Sequence, residues 1–127
     1  MMYINYLMIA FFLNGFSDEV YLGEEVTIDL ATKEIVLNDS SCLGWDIENK
    51  SLINLLDEFE LVSPSEWGAL CYYSDCNMVF NGWLKGVPCR IEINPGSYIL
   101  LMKGEDVKYY IKKKASKYFI QPCNCCE

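Results

Sequence analysis

Residues 89–111, CRIEINPGSYILLMKGEDVKYYI, decide the fold class. Cys89, Ile91 and Ile93 alternate with Arg90 and Glu92, the period-two pattern of a half-buried strand. Asn94-Pro95-Gly96-Ser97 follows as a turn in which Pro presets φ and Gly supplies a positive φ. Residues 98–102 and 107–111 then read as two more strands, joined over Gly104-Glu105-Asp106. Links this short make an antiparallel sheet, because parallel neighbours need a crossover of about a dozen residues or more.

The same chemistry continues in both directions. Downstream, Lys112-Lys113-Lys114 makes a basic turn and 117–121 a last short strand stopped by Pro122. Upstream, 78–80 and 83–84 flank Asn81-Gly82, a strong hairpin signal. Ser63-Pro64-Ser65-Glu66 is a capping box with Pro at the first helical position, which predicts a helix over 64–72. Leu52, Leu55, Leu56 and Phe59 recur at helical spacing and predict a helix over 51–62, capped by Asn49 or Ser51.

Nearer the start, 25–30 alternates as a strand and 34–37 returns as its partner across Ala31-Thr32-Lys33. Residues 6–13 and 16–22 read as a hairpin over Asn14-Gly15, with a buried helix over 3–13 as the alternative that periodicity does not separate. The apolar run 3–13 is too short to span a bilayer. It is long enough for a signal h-region, but no Lys or Arg occurs before Lys33. The expectation is one α+β domain over 1–127: a mainly antiparallel sheet of hairpins with helices at about 51–62 and 64–72 packed on one face.

Composition narrows the chemistry. The chain contains no His, which excludes Ser-His and Cys-His nucleophile pairs and His-ligated metals. No catalytic residue stands out, and no enzyme is expected. Residues 1–75 carry fourteen acids and two bases, net −12; residues 76–127 carry eight bases and four acids, net +4. A chain at −8 repels nucleic acid and favours basic partners. Lys112, Lys113, Lys114 and Lys117 therefore read as a solvated edge rather than a nucleic-acid patch.

The seven Cys are Cys42, Cys71, Cys76, Cys89, Cys123, Cys125 and Cys126. In a reducing cytosol they are thiols; after export they pair. Cys123, Cys125 and Cys126 are candidate soft-metal thiolates, with Cys71 and Cys76 able to complete a four-sulfur set. Their spacing matches no paired C-x-x-C knuckle, so no cofactor is expected. Trp45, Trp67 and Trp83 are core residues or interface anchors, which sequence alone does not separate.

The carboxylates fall in two groups. Asp18, Glu19, Glu24 and Glu25 surround one hairpin; Asp46, Glu48, Asp57, Glu58 and Glu60 surround the first helix. Together they are the candidate partner-binding residues. In composition, with Asp57-Glu58-Phe59-Glu60 on an acidic helix and no catalytic set, the chain resembles the small acidic immunity proteins that bacteria make against their own toxins. That resemblance implies a cytoplasmic inhibitor, bound to no membrane, that occludes the active site of a basic toxin, for example a nuclease.

Overall fold

The computed structural model describes residues 18–37, 44–120 and 122–123 of the chain. Its elements run β1 (Glu19–Leu22), β2 (Val26–Leu37), α1 (Asn49–Leu56), β3 (Glu60–Val62), α2 (Pro64–Leu70), β4 (Cys76–Leu84), β5 (Val87–Asn94), β6 (Tyr98–Lys103) and β7 (Asp106–Ile111). All seven strands join one antiparallel sheet in the order β1-β2-β4-β5-β6-β7-β3, curled into a half-barrel. The expected three-strand core of the fold is present as β5, β6 and β7. The expected hairpin over Asn14-Gly15 falls largely outside the described residues; within them, β1 pairs with β2.

Alternation assigns every strand two faces. Ile91, Ile93, Ile99, Leu101, Phe80, Ile28 and Val20 turn inward and are buried with Leu52, Leu55 and Leu56 of α1. Tyr98, Leu100 and Ile111 turn outward, where Trp67 and Leu70 of α2 cover them. The two helices therefore pack on opposite faces, not on one face as expected. Seven consecutive helical residues with a Trp at the fourth position suffice to cover only one end of the outer face.

Five local expectations are corrected. Residues 31–33 do not reverse the chain. Val26–Leu37 is one continuous strand, with a register shift between Asp29 and Glu34 against β4. Asp29 Oδ1 accepts from Ala31 N, and Thr32 Oγ1 donates to Asp29 O and accepts from Asn81 N, so the irregularity is satisfied within the sheet. Asn81-Gly82 is not a turn either. β4 runs straight through it because Gly82 lets the Thr27 carbonyl approach where a Cβ would collide. The reversal comes at Lys85-Gly86, both with positive φ, at 50° and 81°.

The first helix stops at Leu56 instead of reaching residue 62, and Glu48 caps it without a side-chain hydrogen bond. Residues 60–62 are drawn into β3, which pairs with β7. Phe59, at the fourth position of the helical stripe, packs edge-on against Phe119 at 5.9 Å. The segment 117–121 forms no strand among the described residues; Phe119 is buried and Ile120 N donates to Pro95 O at 2.8 Å. At 94–97 the positive φ belongs to Ser97 (67°), and Gly96 is required for a different reason: a Cβ there would run into the Tyr72 carbonyl.

The expected N-cap is present, with Ser63 Oγ accepting from Glu66 N at 3.1 Å and Pro64 at the first helical position. Behind it, Asn94 is fully buried and its amide ties three segments together. Oδ1 accepts from Ser74 N and Gly96 N, and Nδ2 donates to Ser74 O, Cys76 O and Asn77 Oδ1. A buried amide with its capacity filled in this way fixes the chain around it.

Candidate functional site

The nine carboxylates singled out from sequence divide by what they touch. Four are neutralised inside the fold: Asp46 by Lys33 (2.6 Å), Glu25 by Lys85 (3.2 Å), Glu58 by Lys112 (3.4 Å) and Glu60 by Lys113 (2.9 Å). Three of these pairs join the acidic first half to the basic second half. The charge asymmetry of the sequence is thus partly an instruction for folding. Lys112 overturns the expectation of a solvated lysine edge: it is buried at 1% exposure and also donates to Lys114 O at 2.8 Å. Taking an ammonium out of water requires such partners.

Asp18, Glu24, Glu48 and Asp57 are exposed and form no ion pair among the described residues. Glu48 and Asp57 cap the two ends of α1, while Asp18 and Glu24 bracket β1. Asp57, Glu58 and Glu60 do meet, in a shallow cavity of about 420 Å³, but Lys113 and Lys114 line it with them. Among the described residues, no group of three or more Cys, Asp or Glu is arranged to hold a metal ion. Cys71 and Cys123 are bonded to each other as a disulfide, and Cys76 is disulfide-bonded as well. Neither Cys71 nor Cys123 supplies a thiolate while that bond stands; Cys125 and Cys126 lie outside the described residues. Cys89 is the one free cysteine among the described residues, and burial pushes its thiol up.

The structure separates the three Trp. Trp45 packs against the inner core and donates Nε1–H to Tyr118 O at 2.6 Å. Trp67 lies between Tyr98 and Tyr109, at 5.4 and 4.8 Å. Trp83 does neither. It projects from the outer face of β4, half-buried, where neither helix contributes to a covering layer. The ladder places it in a row, Tyr21–Thr27–Trp83–Pro88, across β1, β2, β4 and β5. Tyr21 is 61% exposed. The next row is Glu19–Asp29–Asn81–Arg90, in which Arg90 pairs with Glu92 at 2.9 Å.

This face presents two aromatic side chains on strands, bordered by Glu19, Asp29 and, at the adjoining turn, Glu24. Chemically it offers apolar contact area with a negative border. Sequence reasoning singled out Glu19, Glu24, Glu25 and Trp83 but missed Tyr21 and Pro88. The signal was parity: Tyr21 stands between the buried Val20 and Leu22, and Trp83 between Gly82 and Leu84. Among the described residues, no helix is long and apolar enough to cross a membrane. Comparison with family models, curated proteins and solved structures finds no match to this chain.

Proposed function

We propose that the protein is a binding inhibitor that docks a basic protein partner on the outer face of β1, β2, β4 and β5. The supporting observation is the row of Tyr21, Trp83 and Pro88, which neither α1 nor α2 covers among the described residues, beside Glu19, Asp29 and Glu24. Rigid aromatics supply the centre of an interface, and surrounding carboxylates steer a basic partner toward it. Occlusion of the partner's active site is the mode of action, as the resemblance to toxin-immunity proteins implies. Asp46, Glu58 and Glu60 drop to a secondary role, because their charges are already met by Lys33, Lys112 and Lys113.

The bonded cysteines favour an oxidising compartment over the cytoplasm that the resemblance suggests. The exported, disulfide-bonded alternative and the inhibitor role are compatible, since the binding face contains no cysteine. Intact mass after thiol alkylation without reductant distinguishes the compartments. Blocked thiols only at unpaired cysteines place the protein outside the reducing cytosol; seven alkylated cysteines return it there.

The test of the inhibitor role uses wild type and the Tyr21→Ala/Trp83→Ala variant, immobilised side by side and offered extracts of the host at low and high salt. The expected outcome is a basic protein retained by wild type, released by salt and lost with the variant. Identical retention by both forms, or a retained partner that is acidic, overturns the proposal.

A further inference from the structure

Among the described residues, the inner face is not covered along its whole length. α1 seals it where Ile91, Ile99 and Tyr110 meet Leu52 and Leu56. Farther along the same face the strands run on to the turns 85–86 and 104–105, and a cavity of about 500 Å³ opens there. That volume lies within the range of small-molecule sites, roughly 300–1,000 Å³. Its lining comes from strands and turns alone. Leu84, Val87 and Leu101 make the apolar floor, with Val107 at the rim.

Two cations face the same space. Lys108 stands directly across the ladder from Leu101, so both point to one side of the sheet. Lys103 follows Leu101 by two residues and shares that face. Both lysines are half-buried, and neither forms an ion pair among the described residues. Asp106 lies across the turn from Lys103 yet pairs with neither, and the third lysine of the lining, Lys85, is held by Glu25. This contrasts with Lys33, Lys112 and Lys113, each matched to a carboxylate in a chain whose net charge is −8. Two half-buried lysines without a carboxylate partner among the described residues, beside an apolar floor, mark a place for an anion supplied from outside.

We propose that the open end of the inner face binds a small amphipathic anion. Lys103 and Lys108 hold its headgroup, and Leu84, Val87 and Leu101 receive a short aliphatic tail. The site lies on the face opposite Tyr21 and Trp83, so it stands or falls independently of the inhibitor role. The lysine stems pack along the floor while their heads meet the anion.

The test titrates wild-type protein with decanoate below its micelle concentration, followed by backbone amide shifts. Decyl phosphate, decanol and inorganic phosphate serve as comparison probes. The expected result is saturable shifts at Leu101, Lys103 and Lys108 with decanoate, weaker binding of decanol, and none of phosphate alone. Tighter binding of decyl phosphate than decanoate would assign the headgroup as phosphate; the reverse order would assign a carboxylate. Lys103→Gln/Lys108→Gln should weaken decanoate by roughly tenfold or more, whereas Lys117→Gln leaves it unchanged. Circular dichroism of the double variant checks that the sheet is intact. The proposal is overturned by absence of saturable decanoate shifts at these residues. It is equally overturned by unchanged affinity in the folded double variant. Hexaglutamate binding tighter than decanoate would overturn it in favour of an acidic peptide.

Discussion

The two faces of the sheet do different work. The inner face carries an apolar layer from Val20 and Leu22 through Phe80 to Ile99, covered by α1 as far as the open end at Leu84 and Leu101. Among the described residues, the outer face is covered at β3, β6 and β7 by a short helix whose C-terminal cap, Cys71, is bonded to Cys123. One face holds most of the core, and part of the other is the surface proposed above for a partner. An antiparallel sheet allows this division, because it needs burial on one side only.

The sharpest way to break the comparison is to remove inner-face volume. Phe80→Ala should cost about 3–5 kcal/mol of unfolding free energy in urea titration, because Phe80 is fully buried and cannot be replaced by collapse of its neighbours. A loss below 1 kcal/mol would mean that the inner face is not the stability-bearing one.

Next in size is the link on the outer face. Replacing Cys71 and Cys123 by Ala should cost about 2–4 kcal/mol, the usual effect of closing a loop of this class. The separation here is 52 residues. The loss should be local first, with amide exchange rising in α2 before the inner strands. Uniform acceleration through β4 and β5 would show that α2 is integral to the inner core.

High pH supplies a third probe. Burial raises the Tyr98 phenol, reinforced by Tyr73 and Glu92; burial also raises Tyr110, reinforced by Glu25 and Cys89, and it raises the Cys89 thiol. Raised values mean that the folded chain holds protons which the unfolded chain releases. The resulting stability is present below the ordinary values, 9.0 for Cys and 10.0 for Tyr, and disappears as pH climbs through the folded ones. Thermal midpoints should therefore fall above about pH 9. Tyr98→Phe should flatten that fall, and an unaltered slope would remove Tyr98 as a cause.

The smallest expected effect is the most telling. Trp83→Ala should cost about 1 kcal/mol, well below Phe80→Ala, because Trp83 is only half-buried. It should nevertheless abolish retention of a basic partner. A loss comparable to that of Phe80→Ala would make Trp83 structural and withdraw it from the interface.

What could be read from sequence followed from residues whose demands are local. Ser63, Pro64 and Glu66 cap a helix wherever they sit, and Gly104 takes its positive φ (61°) between two strands that alternate clearly. The failures share one cause. Asn81-Gly82 carries turn chemistry, but Gly82 is spent on admitting the Thr27 carbonyl, while the less conspicuous Lys85-Gly86 makes the turn. Leu61 and Val62 continue a helical pattern, yet the unpaired edge of β7 recruits them. Lys112 looks like its two neighbours, and only the fold shows that its head meets Glu58. The candidate site was half legible for the same reason. Charge is visible in a sequence, but which carboxylates are already matched, and which aromatic faces outward, depend on register.

Asn94 carries a further consequence for the seat of the Cys123 sulfur. Its amide holds the backbone at Ser74 and Cys76 against the turn that ends at Ser97, using no sulfur atom. The Cys123 sulfur rests 3.1 Å from the Gly96 and Ser97 carbonyls of that same turn. As a thiol it would find two acceptors there, so its place does not depend on being oxidised. The turn is thus a seat for the sulfur in either redox state: were the bond to Cys71 opened, the Cys123 thiol would keep two acceptors within reach.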